Sequence, residues 1–312
     1  MVLSPSELAI ARSVIYASLF DYPLTIDQLR ETLLESHQSV SEMLGTFASS
    51  DALQAIIECR DGFFFQAGRE CLVAERRRRE ARSRAFIERH RLFLTLVCAL
   101  PYTRLVALSG SIAHLNLEGD GDLDLFIITR GRHVWSVTVA VVLLAKLMRC
   151  RRIVCANFVV ADSRLSLEQQ DLFTANQAIH LRPLVEEGLF REFLAANPFV
   201  GRFYPNHRGG GTGAAELGRT ALLDRVKATV ETLLSVPSRI VEAMCRHAYG
   251  WHLRRRAGSW RSPDQVRLEP DALKLHTRSH RQSTLERFDG TVREALQQAE
   301  AASVTRLAAT RR

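Results

Sequence analysis

The six cysteines of this sequence include no Cys-x-x-Cys pair. Cys59, Cys71, Cys98, Cys150, Cys155 and Cys245 sit mostly inside apolar runs, where a reduced, buried thiol is the ordinary occupant. That argues against a zinc site and for a reducing cytoplasm. The opening stretch MVLSPSELAIARSVIYASLF lacks the basic segment, long apolar core and small-residue cleavage site of a signal peptide. The longest apolar run, Val134 to Met148, is too short to cross a bilayer comfortably and contains Lys146, with Arg149 just beyond it. No membrane span is expected, and the run reads as a helix buried against a sheet. Internal repeats and long low-complexity tracts are also missing.

What the chain does have suits a folded protein. It is 312 residues long, 46% hydrophobic and 24% charged, the mixture of a globular chain with about two domains. The formal charge of +8 favours acidic partners, among which it does not distinguish nucleotide phosphates, nucleic acid and anionic lipid. Part of the excess lies in ERRRREARSRAFIERHR, where arginine and glutamate mix along a good helix former. Mixed sign of this kind reads as a solvated helix face rather than a nucleic-acid arm. More lies around Arg254 to Arg256 and at Arg311 and Arg312.

The expected order of parts is a module over residues 1–69, a linking helix over 70–100, an α/β core with following helices over 101–207, a flexible linker over 208–215 and a helical region over 216–312. In the first part, helical periodicity from Ser6 to Phe20 is followed by a turn with Thr25 as N-cap of a second helix. SVSEMLGTFASS supplies a third helix, and Asp61-Gly62 between two apolar runs marks a hairpin. Helix, helix, helix, hairpin is the order of a winged helix. Its third helix carries no Lys or Arg, however, and contacts to DNA phosphates need cations. A packing module is therefore favoured over a DNA reader. The core then alternates: strand TRLVALSGS, a short helix, strand DLDLFIITR, the apolar helix, and the Val/Ile/Phe-rich strand RRIVCANFVVAD.

Chemistry concentrates between Leu105 and Thr129, LVALSGSIAHLNLEGDGDLDLFIIT. Side chains alternate along a strand, so Asp122 and Asp124 share one face while Leu123 and Leu125 share the other. Two carboxylates this close raise each other's pKa unless a cation intervenes, and hard oxygen ligands select Mg²⁺ or Mn²⁺. Upstream, Gly110 and Ser111 follow a strand and open a helix, an arrangement whose free N–H groups can hold phosphate oxygens. Together they place a metal-bound triphosphate beside an attacking hydroxyl.

This order of Gly110-Ser111 followed by Asp122-Leu123-Asp124 resembles the DNA polymerase beta-like nucleotidyltransferase superfamily. A closer resemblance is to an uncharacterised prokaryotic subgroup with an N-terminal winged-helix-like segment and a Tyr-Pro-Leu-Thr turn like Tyr22 to Thr25. It runs through GSIAHLN, DLDLFIIT, NFVVAD, AANPFVGRFYPN and ALKLH. The resemblance implies an α+β fold: a small mixed sheet with helices, flanked by the winged-helix-like module and a helical C-terminal region. It implies transfer of a nucleoside monophosphate from an NTP to a hydroxyl or other acceptor, with Mg²⁺ or Mn²⁺ on Asp122 and Asp124. Gly110 and Ser111 would bind the nucleotide. Active members often carry a third carboxylate on a later strand. Here Asn157 stands at the central position and Asp162 at the strand end, which makes Asp162 the candidate third metal ligand. The acceptor, whether RNA, protein or small molecule, is not specified. Two other readings are a non-catalytic nucleotide-binding or regulatory protein of the same fold, and a winged-helix DNA-binding regulator. His114, Arg130, Arg132 and Trp135 are read as surface or packing residues, and no mechanism requires Asn206 or His207.

Overall fold

Hydroxyl caps start the first three helices. Ser4, Thr25 and Ser39 each accept a hydrogen bond from the backbone N–H three residues on, and Glu7, Gln28 and Glu42 return one. These reciprocal boxes satisfy donors that the first helical turn leaves open. They fix α1 (Pro5–Ser18), α2 (Ile26–Glu31), which follows the two-residue strand β1 (Leu24–Thr25), and α3 (Val40–Ser49). A short α4 (Asp51–Gln54) leads into β2 (Ile57–Arg60) and β3 (Phe63–Gln66). Asp61 and Gly62, at φ 52° and 79°, turn that hairpin with both residues left-handed. Three strands result, in the order β1-β3-β2.

The computed structural model describes residues 3–119, 121–185, 187–209, 221–275 and 279–310. Most of the expected linker over 208–215, and the histidine ending ALKLH, lie outside these. The expected linking helix is two helices, α5 (Cys71–Arg89) and α6 (Arg91–Cys98), broken at His90. The break changes the partner surface: α6 buries Phe93, Leu94 and Val97, whereas α5 buries arginines. Arg76 is only 3% exposed; it donates to the Tyr22 hydroxyl at 2.8 Å and covers that ring with its guanidinium. Arg79 reaches Glu75 and Glu118, each at 3.0 Å. The face read as solvated is thus partly a clamp onto the N-terminal segment, since a guanidinium can be buried when stacked and paired.

The remaining elements are β4 (Thr103–Ser109), α7 (Gly110–Ala113), β5 (Leu123–Thr129), α8 (Val134–Leu147), β6 (Val154–Ala161), α9 (Leu172–Ile179), β7 (Arg182–Pro183), α10 (Glu187–Ala195), α11 (Phe199–Phe203), α12 (Ala221–Leu233), α13 (Ser238–Arg255), β8 (Val266–Leu268), β9 (Ala272–Leu275) and α14 (Arg281–Thr310). Among the described residues six strands form one mixed sheet, β7-β4-β5-β6-β9-β8, in which only β5 and β6 pair in parallel, joined by α8. The chain is therefore α+β. The region expected to be helical beyond residue 216 contributes two strands. They are three and four residues long, too short for periodicity to reveal, and they turn through Glu269-Pro270-Asp271.

Both faces of the sheet are covered. Val106, Leu108, Leu125 and Ile127 pack with α6 and α8, where Trp135 is fully buried and donates from Nε1 to the Glu269 carbonyl at 2.8 Å. Leu105, Ala107, Phe126 and Ile128 belong to a second cluster with α1, α9, α10 and α14. Leu143 and Leu147 on α8 are exposed, so that helix is buried along one side rather than all round. Among the described residues no helix is long and apolar enough to cross a membrane.

Candidate functional site

Pairing across the sheet assembles the motif. Ser109 at the end of β4 faces Asp124 on β5, and Asp124 faces Cys155 on β6. Gly110, at φ +65°, follows Ser109; a Cβ there would sit 2.5 Å from Asp124 Oδ2. The left-handed backbone favours glycine, and a side chain there would have to displace the Asp124 carboxylate. Asp122 lies just before the strand, exposed, and Asp124 is half-buried on the same side, while Leu123 and Leu125 are fully buried on the other. The alternation expected from the sequence is present, and the Gly-Ser turn touches the carboxylate it was expected to approach.

Burial pushes the Asp124 carboxyl up to about 6, and the neighbouring Asp122 charge adds to the shift. The same burial raises the Cys155 thiol to about 11, with Asp124 and Asp122 adding to it. A negative pair in a half-buried place, without an ion-pair partner among the described residues, is chemically unfinished.

Asn157 reaches this pair through an irregularity in β6. Asp124 pairs with Cys155 but Phe126 with Phe158, so one residue of β5, Leu125, opposes two on β6, Ala156 and Asn157. The bulge lets the Asn157 Nδ2 donate to Asp124 Oδ1 at 2.6 Å while Phe158 returns beside Phe126. Bulges commonly re-aim a side chain in this way.

Asp162 is not brought to the site, which corrects its reading as third metal ligand. Because β5 and β6 run parallel, the end of β6 lies beside the end of β5, where Ala161 pairs with Thr129. Six strand positions at about 3.3 Å each separate that pairing from the Asp124 pairing, roughly 20 Å. The Asp162 carboxylate instead accepts from the Gly131 N–H at 2.9 Å and faces Arg104 at 3.1 Å. Among the described residues no group of three or more His, Cys, Asp or Glu is placed to hold a metal.

The pair opens on two spaces. One is a groove of about 590 Å³ between Leu19, Phe20 and Asp21 on one side and Asn116 to Gly119 on the other. The second is a chamber of about 570 Å³ between α1 and the sheet, walled by Tyr16, Phe20, Tyr22 and Phe173 and by the polar Asn176 and Gln177 of α9. Inside it His114 and His180 stack with centroids 4.0 Å apart. Burial holds both imidazoles below their usual range, that of His180 at about 4, so both are neutral at pH 7. His114 was read as an exposed helix residue; it faces the chamber because α7 ends after one turn. The partners that enclose it lie on α9 and the segment before β1, so no local signal marked it.

Arg130 and Asn206 lie elsewhere, whereas His207 stands near His180 of the chamber. Arg130 pairs with Glu231 at 2.6 Å, and Asn206 bonds His37 and the Gln38 carbonyl. His207 is largely buried with Nε2 unpartnered. Compared with known proteins, the chain matches no family model, no curated protein and no solved structure.

Proposed function

We propose that the protein is a metal-dependent nucleotidyltransferase that moves a nucleoside monophosphate from an NTP to an acceptor, with a polymerase beta-like core and a winged-helix-like N-terminal module. The observation that carries the reading is the close approach of Gly110 to Asp124, one member of the uncompensated Asp122/Asp124 pair. Such a junction suits the triphosphate and cation that this chemistry requires.

Asp122 and Asp124 fit Mg²⁺ or Mn²⁺, because these ions commonly take one or two protein carboxylates and complete their shell with water and phosphate oxygens. When bound, the cation neutralises charge on the carboxylates and the phosphates. Gly110 N–H and the Ser111 hydroxyl hold the β- and γ-phosphates. Asn157 fixes the Asp124 carboxylate and supplies neither charge nor a base. In the transfer the acceptor oxygen bonds to the α-phosphorus, the bond to the bridging oxygen of the β-phosphate breaks, pyrophosphate leaves with that electron pair, and the acceptor proton passes to solvent.

Incubation with labelled NTPs and Mg²⁺ or Mn²⁺ tests this. Pyrophosphate should be released and a nucleotide should appear on RNA, a protein or a small molecule, with the Asp122→Ala/Asp124→Ala double variant inert. A double variant of undiminished activity overturns the assignment. Asn157 in place of an acid favours a second reading, a nucleotide-binding regulatory protein without turnover. Metal-dependent NTP binding by calorimetry with no product by mass spectrometry would select it. DNA binding by the N-terminal module is disfavoured by α3, which carries no Lys or Arg; a salt titration of DNA affinity checks this.

A further inference from the structure

Next to the chamber lies a smaller cavity of about 130 Å³, and Ser109, Phe173, Gln177 and Ser279 line both. Its floor is aromatic. Phe126 on β5 faces Phe158 on β6, with ring centroids 5.4 Å apart. Phe158 in turn pairs with Lys274 on β9, and the Lys274 Nζ lies 5.9 Å from the Phe158 ring centroid. Asp124 and Phe126 are two positions apart on one strand and so share a face. The cavity therefore continues the surface on which the carboxylates stand.

Its charges are unevenly satisfied. Arg164, Arg267, Lys274 and Arg281 line it against the single carboxylate of Glu168. Arg164 is held by Glu269, Asp271 and Glu168, Arg267 by Glu168, and Arg281 by Asp171. Among the described residues Lys274 forms no ion pair and donates to a neutral group, the Gln169 Oε1, at 2.7 Å. It is half-buried, and burial lowers its ammonium pKa. Glu168 and Asp171 act on it from beyond ion-pair distance while their oxygens pair with arginines, and Arg267 and Arg281 oppose them. A half-buried cation so placed is completed by an anionic ligand.

We infer that this cavity is an acceptor subsite for a small molecule with an oxyanion head, carboxylate or phosphate, and an apolar body. The head sits on Lys274, and the body lies on Phe126 and Phe158. A cavity of ~150 Å³ takes a benzene ring, so the enclosed part of the ligand is about one ring in size. The far end then points past Ser109 to the strand position that pairs with Asp124, where a hydroxyl would meet the nucleotide. The acceptor role rests on the nucleotidyltransferase reading, whereas the binding does not.

The test uses the full chain without nucleotide or metal and titrates phenyl phosphate, benzoate, inorganic phosphate and the neutral benzyl alcohol by calorimetry or NMR. One or both aromatic anions should bind about tenfold or more tightly than benzyl alcohol and than inorganic phosphate. The ratio of phenyl phosphate to benzoate identifies the head. Lys274→Gln should bring the preferred anion down to the level of benzyl alcohol, and Lys274→Arg should restore it. Equal binding of the anions and the alcohol, of phenyl phosphate and inorganic phosphate, or of the parent and Lys274→Gln overturns the proposal. If Lys274→Gln fails to fold by circular dichroism, the comparisons on unaltered protein still decide. Pyrophosphate release from NTP, measured without these compounds, reports on the nucleotidyltransferase reading alone, so the two failures are distinguishable.

Discussion

Asp124 is where burial, a like charge and a neutral amide meet, and their balance sets a pH dependence. Its carboxyl is raised from 3.8 to about 6 in the folded protein. A raised carboxyl binds its proton more tightly in the folded state, so its contribution to stability is complete below the unfolded pKa and is lost as pH rises through the folded one. Metal-free protein should thus lose up to about 3 kcal/mol between pH 4 and pH 7 from this group. Asp124→Asn, which keeps an oxygen to accept from Asn157, should melt higher than the parent at pH 8 and the same at pH 4. Mg²⁺ should raise the parent's melting temperature more at pH 8 than at pH 5 and leave Asp124→Asn unmoved. Thermal melts at these pH values, with and without the cation, check both signs. Asn157→Asp makes the converse case. A third carboxylate beside Asp124 should lower metal-free stability at pH 8 by about 1–3 kcal/mol while tightening Mn²⁺ binding, measured by the metal's relaxation effect. Unchanged Mn²⁺ affinity would remove Asn157 from the metal's surroundings.

At the scale of elements, the sequence carried more of the site than of its enclosure. Strand alternation made Asp122 and Asp124 a pair, and the Gly-Ser turn after an apolar strand was visible beside them, because both depend on local backbone geometry. Asp162 was misplaced because strand periodicity reveals faces but not which end of a strand lies beside which. The reach of Asn157 depends on a bulge that only the pairing with β5 defines. The chamber was illegible for a similar reason, since its wall comes from α1, some ninety residues before the Gly-Ser turn. Ala17 on that wall faces the chamber and is only partly buried. Ala17→Phe should fill the space at a stability cost of about 0.5 kcal/mol in helix propensity, yet weaken Mg·ATP binding about tenfold. Calorimetry with melting as a control measures this, and unchanged affinity would place the nucleotide in the outer groove.

Across the whole molecule, the apolar cluster on the carboxylate face of the sheet ignores the divisions that composition suggested. It contains Leu3 and Ile10 from the first part, Phe126 and Phe193 from the core, and Phe288, Ala295 and Ala299 from the last helix. Tyr16 on α1 meets Phe288 on α14 edge to face, with centroids 5.2 Å apart, and Phe288 is 3% exposed. The same Tyr16 lines the chamber, so the C-terminal helix braces the wall opposite the carboxylates. Phe288→Ala should therefore cost about 3–5 kcal/mol, and the loss should be felt by the N-terminal helices and the sheet together. Hydrogen exchange followed by mass spectrometry is the suitable measurement. The variant should lose protection in α1, β5 and α9 by a similar factor, as one cooperative unit does. Loss confined to α14 would mean that the chamber wall stands without it, and that α1 takes its position from its packing against β3, α3 and α2.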